Sequence, residues 1–158
     1  MKTPANENGA TGESARERLS KSDKHSRILL EVTNRLSVAK NLDEALAVLV
    51  EITTHYIKAE RGTVFINDKT TGELYSRIAQ GNLKREIRIL NTKGVAGWVF
   101  SNNQGAIITD AYKDPRFNKA VDVRTGFRTK SILCAPLRSM SGELIGVAQL
   151  LNKTDGHF

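Results

Sequence analysis

The chain has 158 residues, 39% hydrophobic and 26% charged, which suits one globular domain with a short polar extension. Its apolar runs fall far short of the roughly 20 residues that cross a bilayer, and no signal-peptide stretch opens the chain, so a cytoplasmic protein without membrane insertion is expected. The formal net charge of +7 is spread, with six Lys or Arg against four acids in residues 1–27 and eighteen against thirteen in the remainder; no aromatics interleave with a basic cluster as a nucleic-acid platform requires.

Residues 1–23 are rich in Asn, Gly, Ser, Thr, Lys and Glu, too polar to offset their ordering entropy, and are expected to be a disordered tail. The folded domain should then occupy 24–158. Ile28, Leu29, Val32 and Leu36 recur at helical spacing. Asn41 suits an N-cap, with Glu44 in capping-box position, and the period continues through Leu42, Leu46, Leu49, Val50, Thr53, Tyr56 and Ile57, predicting a helix over 42–58. After Arg61 the pattern changes. Strands are predicted at 63–66 and 74–79, joined as a hairpin by the turn-rich Asn67–Gly72 segment, and at 86–90, where polar and apolar residues alternate. Gly94 to Phe100 suits a short helix and Ala106 to Thr109 a brief strand. Asp110 to Thr129 is irregular, and long loops in compact domains are functional or disordered. Two strands follow, 131–138 and 144–152. Helices, hairpin, crossover and second hairpin make an α+β arrangement with an antiparallel sheet.

Cys134 is the sole cysteine. It excludes an internal disulfide and any site that needs two thiolates, and its apolar surroundings make it a small core residue. No metal cluster, phosphate-binding glycine loop or Ser-His-Asp arrangement suggests catalysis. No cofactor is required and the chain itself is expected not to be an enzyme.

Five strings occur in order: Gly94-Val-Ala-Gly97, Asp110-Ala-Tyr-Lys-Asp-Pro-Arg-Phe117, Thr125-Gly-Phe-Arg-Thr129, Ser131-Ile-Leu-Cys-Ala-Pro136 and Ile145-Gly-Val-Ala-Gln-Leu-Leu-Asn-Lys153. Together they resemble the regulatory GAF domains of cyclic-nucleotide phosphodiesterases and bacterial adenylyl cyclases. The resemblance implies a six-stranded antiparallel sheet of GAF/PAS type, with helices on one face and a ligand pocket on the other. It implies a regulatory sensor that binds a cyclic nucleotide, cAMP or cGMP, and signals to an output domain in the same polypeptide. Carried over by position, Thr63 matches a base contact on the first strand, and Ala79 and Gln80 the pair ending the second. Val95 and Ala96 match the backbone contact at the start of the short helix. Asn118, Asp122, Thr125 and Thr129 match residues around sugar and phosphate, and Gln149 a position on the last strand. Asn152, Lys153 and Phe158 match the start of the family's Asn-Lys…Phe…Asp-Glu signature. Its acids, and the terminal helix of the fold, are missing from this sequence.

Ala79 cannot stack on a base as an aromatic can. The Ala79-Gln80 pair looks more like the adenylyl-cyclase branch, which favours cAMP, although a Gln side chain donates and accepts alike. Helices such as 28–36 form dimer interfaces in this family, implying a homodimer through the N-terminal helix. Trp98 reads as core and Asp110 and Asp114 as turn and cap residues; Arg124 and Arg128 read as solvated cations, either able to guide an anion. The competing reading is a GAF domain without a nucleotide, acting in dimerisation or sensing another ligand within a histidine kinase, phosphodiesterase or transcriptional regulator. Sulfoxide-reducing and bilin-carrying relatives are disfavoured, since the first chemistry needs suitably placed cysteines and the second a cysteine in the crossover.

Overall fold

A computed structural model of the chain describes residues 9–81 and 86–158. It divides into two units, Met1–Lys40 and Asn41–Phe158. The first is one helix, α1, Gly9–Ser37. It therefore runs through Gly9 to Asp23, where composition predicts a disordered tail; the tail's first eight residues lie outside the described residues. The segment Glu13-Ser-Ala-Arg-Glu-Arg-Leu19 consists largely of strong helix formers, a propensity that a reading by composition overlooks.

The second unit begins with α2, Leu42–Ile57. The Asn41 side chain accepts from the Glu44 amide at 2.9 Å, and its own amide nitrogen donates to the Glu44 carboxylate at 3.3 Å, so the expected cap forms. The helix ends at Lys58 in left-handed backbone, φ 57°. There follow β1, Ala59–Asp68; β2, Glu73–Ala79; β3, Arg88–Leu90; α3, Gly94–Asn102; and β4, Ala106–Ile108. A 3-10 turn at Ala111–Lys113, α4 at Lys119–Thr125, β5 at Ile132–Arg138 and β6 at Leu144–Lys153 complete the unit. The six strands form one antiparallel sheet in the order β3-β2-β1-β6-β5-β4. That is the predicted α+β architecture, with two helices added inside the crossover half.

Register assigns the two faces. Phe65 opposes Val147 and Thr63 opposes Gln149, while Cys134 lies opposite Gln149 from the other side. On this face the core forms from Phe65, Leu74, Ile132, Cys134 and Val147 with Val95 and Val99 of α3. The alternate residues, Val64, Ala148, Leu150 and Leu133, turn to the opposite face, where α2 lies. So α2 covers one side of the sheet, and α3, α4 and the crossover build on the other.

Two glycines let the layers close. A Cβ on Gly62 would lie 2.7 Å from Val50 Cγ1 and 2.8 Å from Thr54 Cγ2, so α2 rests almost on the β1 backbone. A Cβ on Gly146 would lie 2.0 Å from the Phe65 carbonyl oxygen, inside the β1–β6 seam. The backbone there cannot yield as a flexible side chain can. Gly146→Ala is expected to destabilise the domain by at least about 2–3 kcal/mol, measured by urea denaturation; a loss below the spread of surface substitutions would show that the seam relaxes freely.

Candidate ligand-binding site

A recess of about 490 Å³, counted out to its open mouth, lies on the α3 face of the sheet. Phe65, Gln149 and Leu151 form the floor and Ile87 and Ile89 one wall; Lys93 to Ala96 form a second wall, and the crossover supplies Phe117, Asn118, Val121, Asp122 and Thr129. The lining is mostly apolar with a few polar groups, the usual make-up of a small-molecule site.

The second wall is the beginning of α3. Lys93 caps it in extended backbone without a side-chain hydrogen bond, and the first helical bond runs from the Gly97 amide to the Lys93 carbonyl at 3.1 Å. The amides of Gly94, Val95 and Ala96 thus have no acceptor within the helix, and they concentrate partial positive charge at the recess. Gly94 adopts φ +71°, and a Cβ there would meet Asn118 Cβ at 3.9 Å. Asn118 therefore stands beside the helix start. Its carbonyl oxygen caps α4 by accepting from the Ala120 amide at 3.1 Å.

The crossover is fastened by a buried carboxylate. Asp122, 6% exposed, accepts from the Thr129 amide at 2.7 Å, the Thr129 hydroxyl at 2.6 Å and the Tyr112 hydroxyl at 3.1 Å. Charge-assisted bonds of this kind offset the cost of burying an anion. Arg128 stacks over Tyr112 at 3.6 Å and Arg61 of β1 over Phe127 at 4.0 Å. A second knot closes the far end. Asn152, 2% exposed, accepts from the Lys130 and Ser131 amides at 2.6 and 3.3 Å and donates to the Arg128 carbonyl and the Glu60 carboxylate, each at 2.9 Å.

Of the residues predicted from sequence, the recess brings together Val95, Ala96, Asn118, Asp122, Thr129 and Gln149. Thr63 and Ala79 are cross-strand partners in the row beside Gln149, adjoining the recess without lining it. Two do not face it. Gln80 turns to the α2 side, its carbonyl accepting from the Gly62 amide at 2.8 Å and its nitrogen donating to Thr54 at 3.3 Å; strand alternation sends it to the face opposite Ala79. The Thr125 hydroxyl donates to the Val121 carbonyl at 2.9 Å, finishing the last turn of α4. The Lys153 ammonium donates to the Ile57 carbonyl at the end of α2. Phe158 is half-buried. Lys93, Phe117, Ile87, Ile89, Phe65 and Leu151 line the recess without having been singled out. Alternation about Phe65 and Gln149 was a usable signal for the floor residues.

The family model for the GAF domain matches residues 41–158. The chain belongs to the GAF domain family. It is 33% identical over 163 residues to the probable 3',5'-cyclic phosphodiesterase pde-5 of Caenorhabditis elegans, covering 95% of this chain and 22% of that protein. It is 35% identical over 143 residues to the cGMP-specific 3',5'-cyclic phosphodiesterase of Drosophila melanogaster, covering 82% of this chain and 12% of that one. The chain thus spans about a fifth or less of the relatives it matches. Among solved structures, the GAF domain of a phosphoenolpyruvate-protein phosphotransferase from Coxiella burnetii superposes with a TM-score of 0.73 at 25% identity, covering 84% of this chain and 79% of that one. A GAF domain is a regulatory module, and that is what residues 41–158 form. No described helix is long and apolar enough to cross a membrane.

The thiol chemistry of this GAF domain follows from its packing. Cys134 is 1% exposed in the core beneath α3, and burial pushes its thiol from the usual 9.0 up to about 12. The native protein holds this proton where the unfolded chain releases it. Any stability that depends on this group is complete below pH about 9 and falls as pH climbs towards 12. At pH 8 iodoacetamide is expected to label Cys134 only at the rate of global unfolding, read by mass spectrometry in native buffer and in urea. Rapid labelling without denaturant would contradict the buried assignment.

Proposed function

We propose that this GAF domain is a cyclic-nucleotide sensor that takes cGMP in preference to cAMP and passes its occupancy to an output domain in the same polypeptide. One observation carries the reading. The uncapped start of α3 and Asn118 lie side by side on a recess whose remaining lining is mostly apolar, with Gln149 as the polar group of its floor. A cyclic phosphate, with one negative charge, fits the free amides of Gly94, Val95 and Ala96. The purine lies over Phe65 and Leu151, with the Gln149 amide at its edge.

Magnitudes divide the work. A helix-start contact gives about 0.3–2 kcal/mol, whereas micromolar affinity needs about 8 kcal/mol. The base must therefore supply most of the affinity through burial, and the phosphate side orients the ligand. The preference for cAMP drawn from Ala79-Gln80 gives way to cGMP. Gln80 is bonded to Gly62 and Thr54 on the other face and cannot choose a base, and the Drosophila relative is named for cGMP. A ligand shifts the output only if it binds one state of the crossover better than the other; Asp122 and Asn152 are the fastenings that such a change would load.

Calorimetry tests the reading. Saturable cGMP binding is expected, with cAMP weaker, and Asn118→Ala is expected to lower cGMP affinity by about five- to tenfold, the value of one hydrogen bond of about 1–1.5 kcal/mol. Absence of heat with both nucleotides would leave a GAF domain that senses another ligand or only dimerises. Homodimerisation through α1 belongs to the same proposal, since Leu29, Leu30 and Val38 are 67%, 62% and 74% exposed. Sedimentation equilibrium of the full chain should give a dimer that Leu29→Lys weakens, and a monomer at all concentrations refutes it.

A further inference from the structure

The excess of cations is even when divided along the sequence, but not when sorted by what each carboxylate already holds. Residues 110–130 contain six Lys or Arg and three Asp. Asp110 is paired with Lys113 at 3.1 Å and Asp114 with Arg116 at 2.6 Å. Asp122 is buried on Thr129 and Tyr112. Lys119, Arg124, Arg128 and Lys130 are left exposed, with no carboxylate partner among the described residues. Lys119 adjoins Asn118, and Arg128 and Lys130 bracket Thr129, so all but Arg124 neighbour a lining residue in the chain. Lys93, likewise exposed and unpaired among the described residues, stands on the wall itself.

Two of the three carboxylates inside the crossover are thus cancelled by cations and the third, Asp122, is buried on its hydrogen bonds, so the exposed charge left on this segment is of one sign. We propose that these cations are an electrostatic funnel that steers an anionic ligand into the recess and sets its rate of capture, while contributing little to its residence. The inference rests on the cyclic-nucleotide reading, because a neutral ligand would gain nothing from it. Exposed charges act through solvent, where their field extends about one Debye length. Such a field raises encounter rates far more than it holds a bound ligand behind a lining of other residues. Steering of this kind raises association by about 10- to 1,000-fold at low salt.

The experiment follows tritium-labelled cGMP onto the full chain by rapid filtration, separating association from dissociation. Ionic strength runs from about 0.01 to about 1 M, over which the Debye length falls from about 30 to about 3 Å. The wild-type association rate is expected to fall at least tenfold across this range, with dissociation changing less than twofold. The pair Lys119→Glu and Arg124→Glu should slow association about tenfold at low salt and leave it unchanged at high salt. Arg124→Gln with Lys130→Gln, which disturbs no side-chain hydrogen bond, should do the same to a smaller extent. Tritiated guanosine, uncharged, should associate at a rate independent of salt. Saturable cGMP binding with salt-independent association, or variants that alter dissociation alone, overturns the funnel and leaves the nucleotide reading standing. No cGMP binding by the wild-type chain overturns both.

Discussion

The pairing of β1 with β6 is the constraint on which the rest of the domain depends. These two strands are the middle of the sheet, and both their faces are in use. Gly62 brings α2 against one side, while Phe65, Gln149 and Leu151 make the floor of the recess on the other. Gly146 lets the strands approach at the point where Phe65 turns inward. A slip of one residue would exchange the faces completely, sending Gln149 to α2 and Ala148 to the recess. The site's chemistry is therefore a property of register before it is a property of any loop.

Against that rigid floor the crossover is held by polar bonds and by cations lying on rings. Asp122 and Asn152 are both nearly inaccessible, so each bond they make is worth more than it would be in water and each bond lost leaves a desolvated group behind. The arrangement is stable when complete and costly when half made.

Local signals were legible in the sequence. The Asn41–Glu44 cap, the period of α2 and the six strands each depend on residues within a few positions of one another. What was not legible depended on distant partners. Asp122 looks like one more charge in an irregular stretch, and its burial comes from Thr129 seven residues later and Tyr112 ten before. At seven residues, α4 is too short to display a period. Gln80 shows the opposite failing: alternation alone separates it from Ala79, and the family correspondence had joined them. The helical stretch from Gly9 was hidden because composition measures burial and takes no account of the helix propensity of Glu, Ala and Arg.

Asn152 has a further meaning for which residues the position admits. Its backbone is left-handed, φ 57°, which narrows the choice to glycine, asparagine and, at some cost, aspartate. Glycine would keep the turn and abandon all four side-chain bonds. Aspartate would keep the acceptors and lose the donors, while setting a second carboxylate against Glu60. An amide alone supplies two acceptor and two donor directions from one short stem. The site is thus a chemical lock with one key among the twenty side chains, and its identity follows from bond counting rather than from inheritance.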